Sequence, residues 1–333
     1  MVVTNREIRS RSIGKQRPAY FCKNPKQMSI KNKFDELNRT ASVYFKREEG
    51  RLGLLEILPG ITLITILLGG SLGIVLLYSF LDPAPVSAES TFTLQHYREF
   101  FETGFYLSVL LDSFIIAVIT TAAALALGYP AAYYLTIMDS KWKSLYLLLM
   151  ILPFWINVVV RTYAWRLILG SNGLINYLLV DITGVINSPL DLLYSKSAIA
   201  IGLVHVFLPF MVIPIYISLN NVDRSGIEAA KNLGANKLVA FSEITFPQSL
   251  PGVAAGVLLV FVMSFGAFVT PSLLGGQQNI MIGNIIGQMF NELQSWGLGG
   301  AISVIFIALV VTIVYLFNRQ IGLDELYGSG GDA

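Results

Sequence analysis

Few residues in this chain are equipped for catalysis or metal binding. The 333 residues include two histidines, His96 and His205, and one cysteine, Cys22. That set permits neither an internal disulfide nor a cysteine-based zinc site. A phosphate-cradling G-x-x-x-x-G-K-[ST] loop is absent, since Gly14-Lys15 is followed by Gln16. His205 falls in an apolar stretch, where a histidine is expected to contact a neighbouring helix. The long apolar stretches contain no carboxylate from which a Ser/His/Asp or paired-carboxylate site could be assembled. The expectation is a chain that is not an enzyme, carries no cofactor or metal, and has no nucleic-acid partner.

Patterned chemistry appears instead in segment 221–250. Ser225-Gly226-Ile227-Glu228 has the S-x-x-E spacing of a capping box, which predicts a helix beginning at Gly226. Ile227, Ala230, Gly234 and Leu238 fall along one face of it. Gly234 should break the element after about two turns, leaving a bend and a second short helix that ends before Pro247. A helix this short cannot form a core, so it reads as a docking element.

The elements that position this segment follow from hydropathy. The hydrophobic fraction is 54%, only 13% of residues are charged, and mean hydropathy is +0.63. Soluble domains carry about a quarter charged residues; this is an all-α integral membrane protein by composition. A helix needs about 20 apolar residues to cross a bilayer. Charge-free runs place six spans at about 57–81, 113–138, 144–160, 197–220, 251–272 and 297–317. The apolar piece within the stretch from Pro271 to Asn291 is about 10 residues, too short to cross, and is expected to dip back into the protein, sheltered by it.

An even count puts both termini on one side. Of 23 Lys and Arg residues, 13 precede Leu52. With those inside, only Arg98, Arg161, Arg166 and Lys196 fall outside, and the excess of inside charge predicts cytoplasmic termini. Domain boundaries follow: a basic arm over 1–54, a six-helix domain over 55–320 that includes loop 221–250, and a tail over 321–333. Three readings stand for the arm: a solvated disordered tail, an upstream extension before a true start at Met28, or an organelle transit peptide.

The inside loop resembles the EAA motif of the membrane subunits of binding-protein-dependent ABC importers. It reads Glu228-Ala229-Ala230, three residues, Gly234, nine residues, Ile244, one residue, Phe246-Pro247, departing from the family pattern only in Phe246 for Leu. The stretches FTLQHYREFF, GYPAAYYL, LPFWINVVVRTYAW, GLVHVFLPFMVIPIY and IGNIIGQMF are similar to one branch, the polyamine (spermidine/putrescine) permeases. The resemblance implies that loop 221–250 is a coupling element docking on a partner ATPase, with Ser225, Glu228, Ala229, Ala230, Gly234, Ile244 and Pro247 as its site residues. Glu228 would cap the helix and face a basic residue of the partner; Gly234 would turn the chain where a side chain would clash. The implied partners are two ABC ATPase subunits, a second and different permease subunit, an extracytoplasmic solute-binding protein and the lipid bilayer. The implied location is the plasma (inner) membrane. Permeases for ferric ion, thiosulfate or osmolytes share looser versions of the same stretches, and a secondary transporter is the reading from another class.

A polyamine path should offer carboxylates, carbonyls and aromatic faces for cation–π contact. Candidates at the outer span ends are Asp112, Trp155, Asn157, Arg161, Tyr163 and Glu292, with Arg161 expected to pair with Asp112 or Asp181, or to bind the solute-binding protein. Pro130, Pro153, Pro209 and Pro214 interrupt helical turns and free carbonyls. Small pairs such as Ala254-Ala255 and Gly299-Gly300 favour close helix contact.

Overall fold

Uncharged apolar runs satisfy their backbone polar groups internally by coiling, and most of the described residues do so. The computed structural model describes residues 57–84, 90–138 and 140–321; the basic arm with its three readings, and the tail beyond Ile321, lie outside them. Among the described residues, five helices are long and apolar enough to span: α1 (Ile57–Tyr78), α3 (Phe105–Ile137), α6 (Lys196–Asn220), α8 (Lys237–Phe265) and α11 (Trp296–Ile321). Between them stand α2 (Gln95–Glu102), α4 (Ser140–Ile151), α5 (Val158–Leu169), α7 (Arg224–Asn232), α9 (Val269–Leu274) and α10 (Ile282–Asn291). A two-residue antiparallel ladder pairs Leu81 with Phe92 and Asp82 with Thr91. Contacts divide the chain into a unit ending at Gly70 and one beginning at Ser71. The described part of the first is the apolar start of α1, which includes a π-turn over Thr65–Gly69.

The predicted third span, 144–160, is not one straight helix. Helix α4 runs into a 3-10 turn, Leu152–Trp155, and the chain bends by 95° before continuing as α5. Pro153 removes a backbone donor there, and Asn157 starts a new helix, its side-chain oxygen accepting from the Val159 N–H at 2.8 Å. The spans therefore number six only if this bent pair counts as one. Two other spans shift by more than five residues. Helix α3 starts at Phe105 rather than 113. Helix α8 starts at Lys237 and ends at Phe265 rather than running 251–272, because the chain breaks at Gly266 before α9 begins.

In the second unit α3, α6 and α8 pack against one another around Ala124, Ala132, Leu135, Met211, Val212, Ile215, Leu219 and Val260. The approach of α8 to α6 is close enough to require Gly252. A Cβ there would overlap Ser218 Cβ and the Pro214 carbonyl oxygen. A second core joins α2, α3, α8, α10 and α11 through Phe100, Tyr106, Phe265, Ile282, Ile285 and Ile302. Its presence explains segment 271–291: α10 is held among spans by buried Ile282, Asn284, Ile285 and Met289. Gly299 fits against Met289 and Phe290, and Gly300 against the backbone of Val75 in α1 and of Ser79 just beyond it. A third core, with Ile116, Leu169, Ile199, Leu203 and Leu274, joins α3, α5, α6 and α9.

Candidate functional site

At one end of the bundle, α7 projects between α6 and α8. Its start differs from the predicted one. The cap is Asp223 rather than Ser225, and the helix begins at Arg224. Both are capping residue types. Asp223 wins because its carboxylate accepts from the Ser225 backbone N–H at 2.9 Å, while the Ser225 hydroxyl donates to the same carboxylate at 2.7 and 2.8 Å. These bonds hold the Asp223 carboxyl below the ordinary value of 3.8, since hydrogen bonds to the charged form favour it. Asp223 is anchored in turn by Gln248, whose side-chain oxygen accepts its N–H at 3.0 Å.

The other end of α7 closes as a Schellman turn. The Gly234 N–H donates to Lys231 O at 3.0 Å and the Ala235 N–H to Ala230 O at 2.9 Å. Gly234 has φ +92°, and a Cβ on it would meet nothing within 4 Å. Its need for glycine is therefore conformational, where the resemblance implied a steric one. Beyond it Asn236 caps the start of α8, its side chain accepting from Val239 N–H at 2.8 Å. The second helix was expected to end before Pro247. It instead passes through a π-turn, Phe241–Thr245, into Phe246–Phe265. Pro247 then lies inside α8, two residues after the π-turn.

Of the predicted coupling residues, Glu228 takes no part in the cap. It is exposed and helps line a cavity of about 510 Å³ with Arg224, Ile227, Lys231, Tyr133 and Thr245. Ala229 is exposed and Ala230 half-buried. Ile227 turns inward against the core of α3, α6 and α8. Ile244 approaches the same helix, 3.8 Å from where a Cβ on Gly226 would lie. Leu233 and Leu238 are 90% and 78% exposed. Helix α7 is thus fixed at both ends, rooted by one isoleucine and open on the face away from it.

The sequence reading missed what sits above α7. Tyr129 and Tyr133 of α3 set their rings edge-on to Phe241 at 6.0 and 5.5 Å, and Tyr129 also meets Phe246 at 5.9 Å. The only signal was the aromatic pattern of GYPAAYYL beside the two Phe residues of the loop. On the flank, Lys143 of α4 donates to the Asn220 side chain at 3.2 Å and lies 5.0 Å from the Tyr216 ring centre.

The predicted path residues do not form one cluster. Asp112 pairs with Lys196 at 2.7 Å, so it is not the partner of Arg161. That arginine, 9% exposed, lies 5.8 Å from the Phe154 ring centre. Its Nε and Nη1 have no hydrogen-bond partner among the described residues, and neither Asp112 nor Asp181 meets it in an ion pair. The reason is the break at Asn157, which turns the start of α5 and its Arg161 toward the interior. Trp155, 86% exposed, and Asn157 flank that break. Tyr163 sits under Arg166, 5.9 Å from ring centre to guanidinium carbon. Glu292 stands exposed at the end of α10, and its side chain bonds none of the others among the described residues. His205 is a helix contact: Trp165 Nε1 donates to its Nδ1 at 3.0 Å, joining α5 to α6.

Comparison with known proteins bears on this geometry. The family model described as "Binding-protein-dependent transport system inner membrane component" matches residues 124–322. The chain is 38% identical over 240 residues to the spermidine/putrescine transport system permease protein PotB of Escherichia coli (strain K12), covering 70% of this chain and 86% of that protein. It is 34% identical over 239 residues to PotB of Haemophilus influenzae, covering 70% and 83%. Among solved structures, that of a bacterial ABC transporter involved in the import of the acidic polysaccharide alginate is similar, with TM-score 0.69 and 15% identity, covering 84% of this chain and 98% of that one. At that identity the likeness concerns the fold.

Proposed function

Because the chain belongs to the binding-protein-dependent transport system inner membrane components, we propose that it is a polyamine permease subunit of an ABC importer. It forms part of the membrane path for spermidine and putrescine, with a second, different permease subunit completing the path. An extracytoplasmic binding protein delivers the cargo, and two separate ATPase subunits hydrolyse ATP. The choice of polyamine over ferric ion, thiosulfate or osmolytes rests on the likeness to the PotB proteins. Both termini lie in the cytoplasm, a reading supported by the excess of Lys and Arg before Leu52.

The observation that carries the coupling role is the double fixing of α7. A helix capped at both ends moves as a unit. Ile227 then passes any displacement to the core where α3, α6 and α8 meet, because a close-packed interior transmits strain. Glu228, Ala229, Leu233 and Leu238 provide the surface an ATPase groove would hold. When the two ATPases close on ATP, the coupling helices of the permease pair are drawn together and the spans follow. The bend at Asn157 and the prolines at 130, 209 and 214 are where the bundle yields. Uptake of radiolabelled spermidine and putrescine by cells lacking their own polyamine importers tests this reading, with this chain, its second permease, the ATPases and the binding protein supplied together. Uptake of neither compound, with the complex assembled, contradicts it.

A further inference from the structure

The carboxylate of Asp112 is already occupied by an alkylammonium, that of Lys196. The pair lies at the end of the bundle remote from α7. Helix α6 has 25 residues between Lys196 and the turn that leads to α7, which separates the two by about 37 Å at 1.5 Å per residue. Its two members are not equally placed. Lys196 is the first residue of α6, directly after the Ser195 cap, where the positive end of the helix disfavours a cation and favours a carboxylate. Asp112 is held rigidly. Its neighbour Ser113, fully buried, accepts the Ile282 N–H at 2.8 Å and donates to Val109 O at 2.7 Å, fixing α3 against α10. The carboxylate is therefore the fixed and field-favoured member, and the ammonium, on a flexible four-carbon stem, is the replaceable one. Tyr194, two residues before Lys196, holds a second cation: Arg166 lies 5.9 and 5.7 Å from the ring centres of Tyr163 and Tyr194 and donates to the Tyr194 hydroxyl at 2.8 Å.

We propose that Lys196 is a resident surrogate for the cargo, and that a primary ammonium of a polyamine displaces it from Asp112 on entering the permease. The exchange trades one alkylammonium for another of the same charge and geometry, so the carboxylate is never left bare. This inference rests on the polyamine reading and names the residue that would receive the amine. A structural brace between α3 and α6 makes different demands. For a brace, Asp112→Asn and Lys196→Gln break the same bond and act alike, and exchanging the two residues restores function. For a cargo site, the effects have opposite signs.

The test is equilibrium dialysis of radiolabelled spermidine against the complete permease–ATPase complex in nanodiscs without binding protein, alongside uptake by the same complex with binding protein. Asp112→Asn should weaken spermidine binding about tenfold, the scale of a lost charge-assisted hydrogen bond. Lys196→Gln should tighten it about two- to fivefold, the scale of a partly exposed ion pair removed as competitor. Asp112→Lys with Lys196→Asp should not restore binding. Lys196→Arg, which keeps the charge and fold, should bind as wild type or weaker. Equal losses in the two single variants, rescue by the exchanged pair, or no saturable binding to wild type overturns the inference while wild-type uptake of spermidine leaves the polyamine reading standing. Absence of wild-type uptake removes the reading itself.

Discussion

The hydroxyl of Tyr129 lies 3.0 Å from that of Ser249, joining α3 to α8 across 120 residues of sequence. Ser249 is fully buried and already donates to Phe246 O at 2.8 Å, so Tyr129 is the donor and Ser249 the acceptor. The bond sits where the π-turn of α8 meets α3, between α7 and the core that α7 would move. Removing either hydroxyl separates these helices energetically without changing an apolar contact. Tyr129→Phe should cost about 1 kcal/mol. Ser249→Ala should cost more, because it leaves the tyrosine hydroxyl without an acceptor. Thermal unfolding of the solubilised protein checks the order; equal midpoints for both variants and wild type contradict the assignment.

Gly252 makes a second, steric prediction. Its missing side chain is what lets α8 lie against Ser218 and the Pro214 carbonyl. Gly252→Ala should destabilise by about 1–3 kcal/mol, the range for overpacking a well-filled interior. Gly287, where an added Cβ meets nothing within 4 Å, is the control: Gly287→Ala should leave the midpoint nearly unchanged.

At Gly234 the constraint is φ +92° in open space. Gly234→Ala should cost about 1–2 kcal/mol locally, since L-residues with a Cβ resist left-handed backbone, yet leave the transmembrane fold intact. Gly234→Trp adds bulk to the docking surface and should abolish recovery of the ATPases in a pull-down. Undiminished recovery with Gly234→Trp contradicts the docking role of α7.

Capping of α7 should depend on pH in one direction. The Asp223 carboxyl is held below 3.8, first by the Ser225 hydroxyl and then by the Ser225 backbone. A depressed folded value means that the cap contributes fully above the ordinary carboxylate range and is lost as the pH falls through the depressed value. Hydrogen exchange at Ser225 and its neighbours should accelerate only below about pH 4, and Asp223→Asn, which caps without a charge, should flatten the profile. An unchanged profile in Asp223→Asn contradicts the assignment of Asp223 as the titrating cap.

Much of this architecture is legible in the residues. Runs free of charge mark the spans because an uncompensated charge is costly in hydrocarbon, and α6 begins and ends within a residue of the predicted 197–220. The break within 144–160 is not legible from hydropathy, which stays high throughout. It is written in Pro153 and Asn157, a donor removed and a cap supplied within five residues. Asp223 was passed over for Ser225 because local spacing cannot rank two adjacent caps, and the deciding partner, Gln248, lies 25 residues away. Ion-pair partners were the least legible. Charge alone offered Arg161 either Asp112 or Asp181, and only the packing of α3 against the start of α6 gives the Asp112 carboxylate to Lys196.

The most direct test of the account is spermidine transport by proteoliposomes containing this chain and its second permease, with binding protein and ATP present, measured with and without the two ATPase subunits. If α7 couples the spans to ATP hydrolysis, spermidine accumulates only when the ATPases are present, and not with Gly234→Trp in their presence. Accumulation at the wild-type rate without the ATPases would contradict it.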